Sequence, residues 1–246
     1  MGLLTQNREL KKIGVWNFTL PAWAGRLPDG RTYNTCPEAG AACRSLCYAR
    51  VGTYTWPKVK AKHERNLMLV LDEPEKFKAE MAAELGQRRF RNGGLIRWHD
   101  AGDFFSDAYL LMCLELFRAH PHITFYAYTK SIERFRRLVE PNPPPNFRWI
   151  FSYGGTQDAL IDITRDRVAD VFPDEHAIEA AGFSSQEDSD LLAAFGPPKV
   201  GIPANNIPHL KKRLGQRSMS QMQAEHDASA AERRRRQAAP PGAPTI

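Results

Sequence analysis

No apolar run in this 246-residue chain approaches the roughly 20 residues that a helix needs to cross a bilayer, so no membrane span is expected. The start, MGLLTQNRELKK, lacks the apolar segment and small-residue cleavage site of a secretory signal, and Gln6 stands where N-myristoylation needs Ser or Thr. Cysteine is scarce: four residues, three of them between Cys36 and Cys47, are too few for a disulfide scaffold and too close together for a long-range staple. A reducing cytoplasm is therefore the expected setting. A Walker loop, a GxGxxG turn and an HExxH helix are all missing, which argues against nucleotide hydrolysis, dinucleotide binding and zincin proteolysis.

What the chain does have is 42% apolar residues, enough for a proper core, and a net charge of +6. That charge is compatible with a nucleic-acid partner without requiring one. Part of the excess lies in Arg233, Arg234, Arg235 and Arg236, within a stretch from about Ser218 that shows no hydrophobic periodicity. The sequence thus predicts a single α/β domain over residues 1–217 and a basic, Ala- and Pro-rich tail over 218–246. The tail is expected to be largely disordered, above all after about Ala238.

Within the domain, strands are predicted at Ile13–Leu20, Leu95–His99, Ile123–Tyr128, Trp149–Tyr153, Arg167–Phe172 and Lys199–Ile202. Helices are predicted at Lys58–Leu71, from Pro74 to about Arg91, from a Ser106 cap to about Ala119, and from a Ser131 cap to Val139. Strands alternating with helices imply right-handed crossovers and a mainly parallel sheet, closed into a partial or full (β/α) barrel or left open.

Cys36, Cys43 and Cys47 lie in a loop of small residues that lets three thiolates converge, a repulsive arrangement that a metal would neutralise. Arg44 and Arg50 alongside are expected to favour deprotonation. A [4Fe–4S] cluster held by three thiolates, with one iron open, is the first expectation. Zinc is the alternative, with His63 as a fourth ligand if its helix packs over the loop. Cys113 falls mid-helix on an apolar face and reads as a core residue. Parallel α/β folds carry their chemistry at the carboxyl ends of the strands. Three such ends here are unusually loaded with polar groups: Arg97 to Ser106, Tyr126 to Ser131, and Phe151 to Gly155. Asp100, Tyr126 and Lys130 are the candidates to face a substrate.

The runs TCPEAGAACRSLCYA, IRWHDAGDFFSDAYL and ITFYAYTKS resemble the phage family called gene product 88, across roughly residues 10–155. That resemblance implies a phage or prophage origin and a host-cell cytoplasmic setting. A more distant likeness, a cysteine loop after the first strand and then a strand ending in Gly-acidic, is to the layout of radical S-adenosylmethionine enzymes. It implies Cys36, Cys43 and Cys47 as cluster ligands. It also implies Gly102 and Asp103 at a turn holding the amino group of S-adenosylmethionine, and Ser152 at a ribose or carboxylate contact. The cysteines here are separated by six and then three residues, wider than that superfamily's usual spacing, and Leu46 rather than an aromatic residue precedes the last one. Two functions follow as expectations. One is a radical S-adenosylmethionine-like enzyme acting on nucleic acid or a nucleotide. The other is a zinc-stabilised, non-catalytic module that binds nucleic acid or a host protein.

Overall fold

The computed structural model describes residues 2–187, 189–204 and 208–238. From the amino terminus come α1 (Arg8–Lys12), β1 (Val15–Phe18), the short strands β2 (Ala24–Arg26) and β3 (Thr32–Asn34), and then α2 (Ala41–Ser45). Next are α3 (Pro57–Asp72) and α4 (Pro74–Leu85), each opened by a proline in its first turn, where a missing N–H costs nothing. The alternating part follows as β4 (Gly94–Trp98), α5 (Asp107–Ala119), β5 (Ile123–Thr129), α6 (Ile132–Leu138), β6 (Phe147–Ser152) and β7 (Val168–Phe172). The chain continues through α7 (Glu175–Ala180), β8 (Ser184–Ser185), α8 (Leu191–Phe195), β9 (Lys199–Pro203) and α9 (Pro208–Leu214) to α10 (Met219–Ala238).

Seven of these strands form one parallel sheet in the order β1-β4-β5-β6-β7-β9-β8, while β2 and β3 make a separate antiparallel pair. Each strand from β1 to β7 lies beside its predecessor in the sheet, the winding of a (β/α) barrel. Among the described residues β1 and β8 end the sheet rather than pair with each other, so it does not close into a full barrel.

Alternation along the strands splits the sheet into two faces. Phe18, Ile96, Trp98, Phe125, Ala127, Phe147 and Phe151 point into the larger core, packed by α3, α4, α5 and α6. Trp98 meets Phe117 of α5 edge-on, with centroids 5.0 Å apart. Burying large rings of this kind supplies most of the drive for folding, at about 25 cal/mol per Å² of apolar surface. The opposite face carries Val15, Tyr126, Ile150, Ala169 and Val200, and Leu10, Ala193 and Ala194 cover part of it. Cys113 is fully buried in the larger core, as its position in the sequence implies.

The helices differ from expectation at three places. The predicted helix to Arg91 stops at Leu85, because Gly86 ends it and a 3₁₀ turn follows. Ser106 caps α5 by accepting from the Tyr109 N–H at 3.2 Å, but the Ser131 hydroxyl makes no cap bond to α6 and instead accepts from Arg134. The largest difference is at the carboxyl end, where residues 219–238 form the helix α10 rather than a disordered tail. Met219, Met222 and Gln223 are buried there, and that tertiary packing overrides the missing hydrophobic period. The expectation for residues after Ala238 lies outside the described residues.

Candidate functional site

The cysteine loop lies across the carboxyl ends of β4 and β6, and backbone hydrogen bonds hold it there. Asp103 N–H donates to Thr35 O at 2.9 Å, and Gly40 N–H donates to Gly154 O at 2.9 Å. Thr156 donates its N–H to Glu38 O at 2.9 Å and its hydroxyl to the Glu38 carboxylate at 2.7 Å. Two glycines make the approach possible. Gly102 has φ +87°, and an added Cβ would stand 2.8 Å from Leu20 Cβ; Gly154 has φ +91°, and an added Cβ would collide with the Met219 sulfur.

Helix α2 buries Ala42 among Leu46, Met219 and Met222, and Cys43 packs against the same cluster while staying partly exposed. Cys47 follows one turn later and Cys36 precedes the helix; both are partly exposed and none of the three is in a disulfide. The first N–H groups of so short a helix need a partner from elsewhere. Gln223 of α10 supplies it, accepting from Ala42 N–H at 3.0 Å, while Ser220 donates to the buried Asp170 of β7 at 2.6 Å. The region read as a tail is therefore the brace of the cysteine helix.

Burial raises the Cys36 thiol well above its ordinary pKa, and the nearby Asp103 and Cys43 add to the rise. Burial and Cys43 likewise raise Cys47. This overturns the expectation that Arg44 and Arg50 favour deprotonation. Their guanidinium groups lie over the Trp23 ring, at 5.5 and 5.2 Å, and the pull of Arg50 on Cys47 is weaker than desolvation. The three thiols are coupled electrostatically, but among the described residues no three Cys, His, Asp or Glu side chains converge closely enough to hold a metal ion as they stand. His63 packs its ring against Tyr54, and burial holds it neutral with a pKa of about 4.

Beneath the loop, the buried Asp103 carboxylate accepts from Phe104 N–H at 2.7 Å, the Thr129 hydroxyl at 2.7 Å and Lys130 N–H at 2.9 Å. Burial still raises its pKa. The Lys130 ammonium donates to Ser152 O, Ser152 Oγ and Tyr153 O at 3.1, 2.8 and 2.6 Å, so it ties β5 to β6. Asp158 fixes the Gly154-Gly155 turn by accepting both N–H groups at 2.8 Å.

Asp100 and Tyr126 belong to a second polar cluster. The largely covered Arg97 reaches Asp190 at 3.1 Å and Asp100 at 3.7 Å. Tyr54 donates to the Asp100 carboxylate, Tyr126 donates to Asp190, and Tyr128 donates to Asp190 at 3.3 Å. Tyr48, next after Cys47, donates to the Asp100 carbonyl and joins this cluster to the cysteine loop. The structure therefore gathers Asp100 and Tyr126 in one cluster and places Lys130, Asp103 and Ser152 in another. Sequence reasoning includes Arg97 and Tyr128 in polar strand ends without giving them a role, and it misses Asp190. A cation alternating with Ile96 and Trp98 marked the first, and the two-residue step from Tyr126 marked the second. Nothing local marked Asp190.

The class these features define is an α/β protein with a seven-stranded parallel sheet and a loop of three free cysteines at the carboxyl ends of its strands. A family described as gene product 88 matches residues 2–237, and the chain belongs to that family. One relative is the Gene 88 protein of Mycobacterium phage L5, 29% identical over 115 residues. The match covers 42% of this chain and 46% of the relative, under half the length of each. No solved structure matches the chain. No helix among the described residues is long and apolar enough to cross a membrane.

Proposed function

We propose that the chain is a metal-centre enzyme of radical S-adenosylmethionine type, in which Cys36, Cys43 and Cys47 hold a [4Fe–4S] cluster at the carboxyl ends of the strands. The observation that carries this reading is the placing of three free, mutually coupled thiols on one loop held to the ends of β4 and β6. The donor set fits such a cluster in its chemistry: three thiols, with the fourth cysteine sealed in the core. The side chains are not yet gathered to one point, so metal uptake has to draw them together. The raised thiols must also release protons, so affinity rises with pH. When bound, the cluster supplies one electron to the sulfonium of S-adenosylmethionine.

The chain's own residues divide the remaining work. Gly102 gives the backbone a close turn beside the cysteine loop, and Asp103, Lys130 and Ser152 form a hydrogen-bonded wall that keeps the strand ends in register for the cofactor. Arg97 and Asp190 hold Asp100 and Tyr126 in place, both buried and hydrogen-bonded within the protein, behind the surface that meets the substrate. The test is anaerobic expression, an absorption spectrum, and iron, zinc and sulfide counts for wild type and Cys43→Ala. A brown protein with about four irons per chain, lost in the variant, supports the reading. A colourless protein holding about one zinc overturns it.

A further inference from the structure

A cavity of about 340 Å³ opens beside the cysteine loop, between the β2–β3 pair and the start of α3. Arg26, Arg50 and Lys60 line it together with Tyr33, Tyr54 and His63, and none of the described lining residues is acidic. Arg50 spends one N–H on the Ala24 carbonyl at 3.3 Å and lies over Trp23; it makes no ion pair among the described residues. The exposed Arg26 makes none there either. Lys60 has only a loose contact with Glu64, at 3.5 Å and one helical turn away. His63 is neutral, so it adds no charge near pH 7. The wall therefore carries a positive excess with free N–H donors facing an open space. Between Thr55 of the lining and Lys60 stands Trp56, 60% exposed although it is a large aromatic residue.

We infer that this cavity binds the phosphate of a nucleotide unit, with the base stacked on Trp56. Arg26 and Arg50, neither in an ion pair among the described residues, favour an anion even with Glu64 beside Lys60, and the exposed indole of Trp56, next in sequence to Thr55 of the lining, offers the flat face that a base covers whatever its identity. The site deepens the proposed enzyme: it rests on that reading for its role as a substrate-holding subsite, and names a nucleotide or single strand as the substrate class. The phosphate could come from a free nucleotide or from a strand, and the two differ in salt dependence.

The experiment is fluorescence titration of the full chain with a mononucleotide and with a labelled single-stranded oligonucleotide. Wild type is compared with Arg26→Ala, Lys60→Ala and Trp56→Ala, three residues exposed enough that the fold is unaffected, which a thermal melt checks. Binding that weakens about tenfold in each variant is expected. For a strand, the log–log salt slope should also fall by about 0.7 with each lost cation. A strand as source gives a steep slope in wild type; a free nucleotide gives a shallow one and saturates without the oligonucleotide. Binding that is equal in wild type and all three variants, or absent for both probes, overturns the inference. Metal counts on the same preparations separate the two proposals. A chain without a cluster that still binds through Arg26 and Lys60 sinks the enzyme reading alone. A chain that holds its cluster but binds neither probe sinks the subsite alone.

Discussion

Replacing Gln223 by Ala tests whether α10 braces the cysteine helix. The substitution removes the acceptor of the Ala42 N–H, a bond of 3.0 Å between buried groups. A buried donor left without a partner costs about 1–3 kcal/mol. In a chain of this size each kcal/mol moves the melting temperature by about 2–4 °C, so a mid-range loss of about 2 kcal/mol gives a fall of about 4–8 °C. Asp227→Ala is the control. It removes only the outward bond that Gln223 Nε2 makes at 2.9 Å, and is expected to stay within about 0.5 kcal/mol of wild type. Thermal unfolding gives the magnitude, and timed thiol modification gives the location. Cys43 and Cys47 should react faster in Gln223→Ala, while Cys113, sealed in the core, should stay protected. A melting temperature within about 1 °C of wild type would refute the reasoning. So would release of Cys113 at the same rate as Cys43, because the loss would then be global.

Burial holds the His99 imidazole down at about 3, far below the ~6.5 of an unfolded chain. As pH falls below that unfolded value, only the unfolded state takes up the proton, so stability drops by about 1.4 kcal/mol per unit. His99→Asn, which suits the backbone φ of +67°, should flatten that decline in urea unfolding at pH 7, 6 and 5; parallel lines for the two proteins count against it. Gly154→Ala forces a side chain into φ +91° and against Met219, a cost of about 1–3 kcal/mol visible as a lower urea midpoint. Asp190→Ala strands the largely covered Arg97, its side chain 17% exposed, and should cost about 3 kcal/mol. A change under about 1 kcal/mol in that variant would mean that Asp100 alone satisfies the guanidinium.

The sequence made the sheet legible because its strands are short apolar runs bounded by glycine, proline and polar clusters. All six predicted strands occur, each within two residues of its predicted ends; the first narrows by two at both, from Ile13–Leu20 to Val15–Phe18. The two-residue β8 carries no local pattern and exists only through its pairing with β9. Of the site, the residues at strand ends could be read, since a Gly-acidic turn after an apolar run marks itself. Their division into two clusters could not, because Lys130 points to Ser152 while Tyr126 reaches Asp190, 64 positions away. The basic tail was misread for the same reason. Three buried side chains in a 20-residue helix leave no periodic trace, yet they suffice to hold it.

The brace has a consequence in time. Ala42 and Gln223 are 181 positions apart, so the ribosome makes the cysteine helix long before the group that caps it. At about 5–20 residues per second, roughly 10–40 s pass between the two. During that interval Cys43 sits on a helix without its cap or its methionine cover. The order of synthesis therefore puts completion of the cysteine loop, and any loading that depends on it, after Gln223 has left the ribosome.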